Sequence, residues 1–484
     1  MWQNRKVGDN AMSIQGSSVL SEEPQRLNLR WLLRFSMPVV LLIYCASFNW
    51  SYVKWISPTW AYLGLTYKSP DSSLVICGYV LVAVLSAFSP LRIKRPSQVS
   101  YWLIFVTVYV PGLFVPIFVQ LDNGITLLLT QLSMTGGMLL IALSYKVSLL
   151  RIPRFPVNRN MWWVVLSILF ITCNAILFVV FRHALHFASI KEIYMVRFQS
   201  KFIARTNPGI TYVYSALANV INPFLIAYGL IRRRWTPIGI GIGGQLFIYS
   251  TAAMKAVLGS PLLIIIFYYS LKRDRGGWVP KLGIGLAGLF VVLTALVTDF
   301  KSGFLSIIAS MTLMRLFALP GLFIAQYQHF FESFPHTYLG HIAGINLLFP
   351  SPYSLSTGME VSSFYSGPGG QHGIGNANAS FFAMDGIAGF GLPGIPVMGL
   401  FCGAVFWILD SCAREWPIEF SAPFLTMCSV ALVSESLFSV LLGNGLMVLM
   451  LFFVFMPRQL LDDRFNKSAV ADSYPPGHLR KGTA

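Results

Sequence analysis

Charged side chains are scarce in this chain: Asp, Glu, Lys and Arg together make up 11% of its 484 residues, while hydrophobic residues make up 55%. Because soluble domains carry about 25% charged residues, the composition excludes a soluble globular protein. Acidic residues are the scarcer sign, with 18 against 35 Lys and Arg. The basic excess does not indicate nucleic-acid binding, since most Lys and Arg fall in short linkers between apolar runs. We therefore predict an all-α polytopic integral membrane protein.

Cysteine is also scarce, and no Cys spacing matches a metal site. All six cysteines lie in or beside apolar runs, which indicates packing residues rather than disulfides or metal ligands. Residues 1–30 are polar and lack the apolar core of a signal peptide, so we expect a disordered cytoplasmic leader. The cysteines are Cys45, Cys77, Cys173, Cys402, Cys412 and Cys428.

Apolar runs of roughly span length, which is about 20 residues, divide the chain into membrane blocks. About 12 transmembrane helices are expected, five in 31–181, four in 210–298 and three in 391–457. Placing the N-terminus inside assigns 25 of the 35 Lys and Arg to cytoplasmic segments, including the tail 458–484, as the positive-inside rule requires. The runs are 31–49, 74–91, 102–120, 124–144, 161–181, 210–231, 236–250, 256–271, 282–298, 391–409, 422–441 and 444–457.

Two large outer loops follow from this topology, 182–209 and 299–390. Within the second loop, residues 304–325 are apolar enough to span, but no Lys or Arg occurs in the 98 residues from Leu316 to Ala413. A cytoplasmic loop of that length without a basic residue would be unusual. We therefore expect 299–390 to be periplasmic throughout, with 304–325 at the interface or re-entering the membrane, where Arg315 in its middle is tolerated.

The first outer loop carries a basic stripe. Arg197, Lys201 and Arg205 recur at i, i+4 and i+8 and would line one face of a helix. Cations kept outside against the usual bias suit a lipid-linked phosphate or diphosphate, whose oxygens Arg binds bidentately. The alternative is ordinary anchoring to anionic lipid headgroups.

The second outer loop holds the titratable candidates. His336, His341 and Glu360 could each act as a general base, and His372 lies in the Gly-rich run GPGGQHGIGNANAS. This run lacks the Gly-Lys-Ser/Thr ending of a phosphate loop, and its many Gly and Ser residues suit a loop that folds over a sugar. For each His, the alternative is an ordinary hydrogen-bonded loop residue.

Polar residues also mark both ends of the second loop. Arg315 lies in an apolar run and either pairs with a ligand or snorkels to the interface. Asn376, Asn378 and Asp385 lie where the chain re-enters the membrane. They either position a ligand or cap the next helix.

Four short patterns stand out between residues 315 and 391. They are Arg315-x-Phe-x-x-Pro320-Gly-x-x-x-x-x-Tyr327-x-x-Phe330, SFP at 333–335, Asn376-Ala-Asn378 and Asp385-Gly-Ile-Ala-Gly389-Phe-Gly391. Together they resemble bacterial oligosaccharide repeat unit polymerases, the Wzy-type O-antigen or exopolysaccharide polymerases. A dozen spans with two large periplasmic loops agree with this resemblance, although Lys201 stands where an Arg-only cluster would be typical.

The resemblance implies a membrane glycosyltransferase. Such an enzyme joins polyprenyl-diphosphate-linked oligosaccharide repeat units at the periplasmic face of the bacterial inner membrane, and both termini would be cytoplasmic. It would need no cofactor, and a polysaccharide chain-length regulator would be a partner. An O-antigen ligase and a lipid-linked oligosaccharide flippase are the alternatives; a flippase would have a polar central cavity and pseudo-symmetric halves.

A reaction at a lipid diphosphate needs positive charge beside the leaving group. No acidic pair with metal-ligand spacing is evident in the outer loops, so we expect a metal-independent reaction that uses Arg and Lys instead. The expected catalytic residues are Arg315, His336, His341 and Glu360, with a His favoured as the base. The expected substrate-binding residues are Arg197, Lys201, Arg205, His372, Asn376, Asn378 and Asp385.

Overall fold

The computed structural model describes residues 36–461 except 156, 184, 186–208, 253, 274–277, 300–308, 343–344 and 367–375. This part of the chain is mostly helical and contains no strand, so the prediction of an all-α protein is confirmed for it. The helices are α1 (Ser36–Leu63), α2 (Ser72–Phe88), α3 (Ser97–Val119), α4 (Gly124–Ser144), α5 (Arg159–Phe181), α6 (Ile210–Arg232), α7 (Trp235–Ala252), α8 (Lys255–Arg273), α9 (Trp278–Asp299), α10 (π-helical Ser310–Ala318, then Leu319–Ser333), α11 (Thr357–Ser366), α12 (π-helical Phe382–Ile387, then Ala388–Phe390), α13 (Gly394–Cys412), α14 (Ile418–Ser434) and α15 (Leu446–Phe455).

Eight of the described helices are long and apolar enough to cross a membrane. Three shorter helices, α2, α15 and most of α14, are also apolar. The chain is therefore a helical protein with several candidate membrane spans. The figure of 12 spans, their sidedness and the two periplasmic loops stay predictions. The eight helices are α1, α3, α4, α5, α6, α8, α9 and α13.

Glycine lets helix backbones touch at several places in the described part of the bundle, and two of these contacts join α13 to α4 and α10 to α3. A Cβ on Gly399 of α13 would collide with the carbonyl oxygen of Gly137 in α4, and a Cβ on Gly321 of α10 would collide with that of Pro111 in α3. Small residues at such contacts are typical of membrane helix packing. The second contact fixes α10 directly beside α3.

α10 covers part of the segment 304–325 that the sequence places at the interface or re-entering the membrane. It runs parallel to α3, because residues 310–318 pack near 105–109 and Ile324 packs against Gly112. Most of Leu319–Ser333 is buried. The C-terminal end of α10 therefore lies beside the loop that follows α3, at what the topology predicts to be the outer end of the bundle.

The chain after α10 folds back over the C-terminal end of this helix. The Tyr327 hydroxyl in α10 donates to the carbonyl oxygen of Ala377 at 3.0 Å, and the Ala377 amide donates to Gly358 O in α11 at 2.9 Å. The Tyr353 hydroxyl donates to Pro335 O at 2.6 Å. These bonds join segments that lie up to 50 residues apart in sequence and bring the second outer loop together with α10.

Candidate functional site

A fully buried carboxylate lies at the centre of the candidate site. Asp385 Oδ1 accepts from the Ser436 hydroxyl at 2.6 Å and lies 3.0 Å from His341 Nε2. Its Oδ2 accepts from the backbone amide of Leu437 at 2.6 Å. We call Asp385, His341, Ser436 and Leu437 the Asp385 cluster. Because burying an unpaired charge is costly, these hydrogen bonds explain how the carboxylate is tolerated there.

The cluster depends on a break in the run that the sequence predicts as the span 422–441. α14 ends at Ser434, and Glu435 is extended with φ −141° and ψ 156°. Helical turns resume at Leu437. The backbone amide of Leu437 therefore has no partner within a continuous helix and is available to Asp385.

The imidazole of His341 is held from both sides. A carboxylate only accepts hydrogen bonds, so Nε2 carries the proton towards Asp385. Nδ1 lies 3.2 Å from Thr337 Oγ1, but the single proton of this hydroxyl is donated to Ala388 O at 3.1 Å. The His341 side chain is only 11% exposed, its Nε2 is bound to Asp385 and its Nδ1 faces Thr337, so a substrate hydroxyl has little access to either ring nitrogen. The expected role of His341 as a base has less support than a positioning role.

The turn between His336 and His341 adopts a costly backbone conformation. Tyr338 and Leu339 have φ of +46° and +63°, in the left-handed region that side-chain-bearing residues rarely adopt. Each such residue costs about 1–3 kcal/mol. The turn is held because the Thr337 amide donates to Ala388 O in α12 and the Gly340 amide donates to Thr337 O, both at 2.7 Å. Strain retained in this way is frequent at functional sites.

His336 differs from His341. Its ring stacks on Phe331 at a centroid distance of 5.8 Å, and it lies against Gly391, whose φ of +68° favours glycine. Its Nδ1 is buried and has no hydrogen-bond partner among the described residues. An unpaired buried nitrogen of this kind requires an explanation. Of the two candidate histidines, His336 is the one that has a ring nitrogen without a hydrogen-bond partner in the described part of the chain.

The other predicted loop residues have more ordinary surroundings. Glu360 Oε1 accepts from the backbone amide of Leu355 at 3.0 Å, which ties down the loop before α11. Asn376 is exposed and lies against Gly358, and Asn378 is half-buried. Within the described part of the chain, no hydrogen bond joins Glu360 or these amides to either histidine.

Arg315 is not part of the Asp385 cluster. It is exposed in the π-helical part of α10 and precedes Tyr327 by 12 residues, which places it about 18 Å away along the helix axis at ~1.5 Å per residue. Its catalytic role stays a prediction. Arg197, Lys201, Arg205 and His372 lie outside the described residues.

A second Asp–His pair was missed by sequence reasoning. His329 Nδ1 in α10 lies 2.8 Å from Asp122 Oδ1, and Glu332 follows one helical turn later. These three residues could hold a metal ion. Burial raises the pKa of Asp122, the hydrogen bond from His329 lowers it, and the charge of Glu332 raises it, with a net increase. The sequence signal was the His-x-x-Glu spacing, which places both side chains on one helix face.

Comparison with known proteins adds no assignment. No family model, no curated protein and no solved structure matches the chain. The function must therefore be argued from the fold and from the geometry of these residues.

Proposed function

We propose that this chain is a polysaccharide polymerase, a membrane glycosyltransferase that joins polyprenyl-diphosphate-linked oligosaccharide repeat units at the periplasmic face of the bacterial inner membrane. One observation carries the proposal: parts of the sequence pattern that are distant along the chain pack together. Tyr327 binds Ala377, and His336 and Thr337, which directly follow the SFP pattern, lie against Gly391 and bind Ala388 respectively. Packing of these distant segments against one another supports a common function for them.

The surface around His336 suits a sugar. Phe334 stacks on Phe330 at 4.4 Å and meets Phe364 edge-on at 5.6 Å, and Tyr338 lies edge-on to His336 at 6.3 Å. The side chains of Phe334, Phe364 and Tyr338 are 39%, 48% and 57% exposed. Exposed rings held in place by other rings provide a rigid face on which the apolar side of a sugar can pack.

The reaction assigns a task to each group. The acceptor hydroxyl attacks the anomeric carbon of the donor sugar, the bond from that carbon to the diphosphate oxygen breaks, and the diphosphate leaves with the electron pair. His336 takes the hydroxyl proton. The basic stripe of the first outer loop binds the leaving diphosphate and stabilises its growing charge. The Asp385 cluster fixes the turn that carries His336 and Tyr338.

The proposal is tested in a deletion strain complemented with plasmid-borne variants. We expect the deletion to leave single repeat units on the carrier and to abolish long glycan. Removal of a general base costs about 10²–10⁴-fold in rate, so His336→Ala should yield little polymer at wild-type protein levels. His183→Ala, which removes an exposed histidine, is the control for loss of an imidazole. Accumulation of repeat units on the inner face would indicate a flippase, and long chains retained on the carrier would indicate a ligase; either result refutes the proposal.

A further inference from the structure

We infer that Asp122, His329 and Glu332 form a binding site for a divalent transition-metal cation, of the Mn²⁺ or Zn²⁺ class. The candidate ligand atoms all lie within 4.8 Å of one another. His329 Nδ1 and Asp122 Oδ1 are 2.8 Å apart, close to the roughly 3.0 Å between neighbouring ligands of an octahedral metal bound at about 2.1 Å and shorter than the roughly 3.4 Å of a tetrahedral one. The site goes beyond the proposed polymerase activity and does not rest on it.

The fold holds these ligands on two neighbouring elements. His329 and Glu332 are one turn apart on α10, and Asp122 lies in the short loop between α3 and α4. This loop is fixed at both ends. Gln120 has a φ of +50° and its amide donates to Pro116 O at 2.9 Å, and Asn123 caps the start of α4. A rigid loop reduces the entropy lost when a ligand binds.

Gln328 provides a second, independent observation. It is 7% exposed, and its Nε2 donates to Glu332 Oε1 at 3.2 Å, so its amide borders the ligand group. Its Oε1 is buried and has no hydrogen-bond partner in the described part of the chain. A half-turn of the amide would place this oxygen 3.2 Å from Glu332 Oε1, where it could serve as a fourth ligand.

The charges and donor atoms select the cation. The Asp122 side chain is 2% exposed. The group contains two carboxylates and one imidazole, so its negative charge exceeds its positive charge. A dication offsets that excess. One nitrogen and two or three oxygens suit Mn²⁺ or Zn²⁺, whereas a soft cation would require thiolates. The ring of Tyr365 lies 6.4 Å from that of His329 and packs beside the imidazole.

The test uses the full-length protein in lipid nanodiscs, stripped with chelator and titrated calorimetrically with MnCl₂ alone, then with ZnCl₂ alone. We expect saturable binding of one ion per chain. His329→Ala and Asp122→Asn should each weaken binding by at least about tenfold, which corresponds to 1.4 kcal/mol. Glu360→Gln is the matched control, since it removes one carboxylate charge but keeps an acceptor for Leu355, and it should leave binding unchanged.

Thermal unfolding of every variant checks that loss of binding is not loss of fold. Gln328→Glu adds a test by gain, because a carboxylate in place of the amide should tighten Mn²⁺ binding severalfold. The inference is overturned if the wild type shows no saturable uptake of either ion, if His329→Ala binds like Glu360→Gln, or if Gln328→Glu does not tighten binding. None of these readouts depends on polymer synthesis, so the metal site can fail while the proposed function stands.

Discussion

Removal of the Asp385 carboxylate should destabilise the protein more than most single substitutions. In Asp385→Ala, the Leu437 amide and the His341 Nε2–H, whose directions are fixed by the backbone and the ring, lose their acceptor, and so does the rotatable Ser436 hydroxyl. A buried donor left unpaired costs about 1–3 kcal/mol, so the two donors predict a loss of about 2–6 kcal/mol. Asp385→Asn should lose less, since the amide oxygen can accept from Leu437 and the amide nitrogen can donate to Ser436.

The assay is thermal unfolding of the detergent-purified protein, followed by tryptophan fluorescence. The expected order of midpoint temperatures is wild type, then Asp385→Asn, then Asp385→Ala. Asp71→Ala is the control for loss of a carboxylate, because Asp71 caps α2 at an exposed position and a lost cap costs only about 1 kcal/mol. If Asp385→Ala unfolded at or above the midpoint of Asp71→Ala, the assignment of Asp385 as a buried anchor would be refuted.

Three further predictions follow from the same region and from the opposite end of the bundle. His341→Gln keeps a donor towards Asp385 and should retain more polymer synthesis than His341→Ala, in the complementation assay; equal loss in both would contradict a positioning role. Gly391→Ala forces a side chain onto a residue at φ +68° and ψ −155°, a backbone region essentially restricted to glycine, at a cost of about 1–3 kcal/mol, and should lower the unfolding midpoint accordingly. Burial raises the pKa of Glu415, but hydrogen bonds from Arg458 and Arg154 outweigh it and hold that pKa below its ordinary value. These bonds add about 0–1 kcal/mol to the free energy of unfolding, as is usual for an exposed pair. This contribution is present above the unfolded pKa of Glu415 and disappears as pH falls through the folded pKa. In unfolding curves recorded over a series of pH values, Glu415→Gln should remove this acid sensitivity.

Sequence reasoning succeeded where a property depends on composition. Few charges and many apolar residues predicted a helical protein with membrane spans, because each backbone polar group in a bilayer must be paired within a helix. It also selected both His341 and Asp385, but as separate residues with separate roles. Their bond at 3.0 Å joins positions 44 residues apart, and local patterns contain no information about such pairings.

The break after Ser434 shows a second limit. The run 422–441 is apolar enough to read as one span, and nothing in its periodicity marks an interruption. The Leu437 amide has no partner within a helix, and only the tertiary fold brings the buried Asp385 close enough to bind it. Asp122 and His329 were missed for the same reason, since 207 residues separate them and only the parallel packing of α10 on α3 brings them together.

The two Asp–His pairs at this end of the bundle contain the same residue types, yet their surroundings favour opposite roles. Asp385 is bound by His341, a hydroxyl and a backbone amide, so an added cation would have to break existing bonds. Among the described residues, the Asp122 side chain has a single hydrogen-bond partner, His329. A second carboxylate and an unpaired amide oxygen stand beside it. A saturated pair can only hold structure, whereas an unsaturated one gains free energy by binding, because the cost of burying its polar groups has not yet been offset.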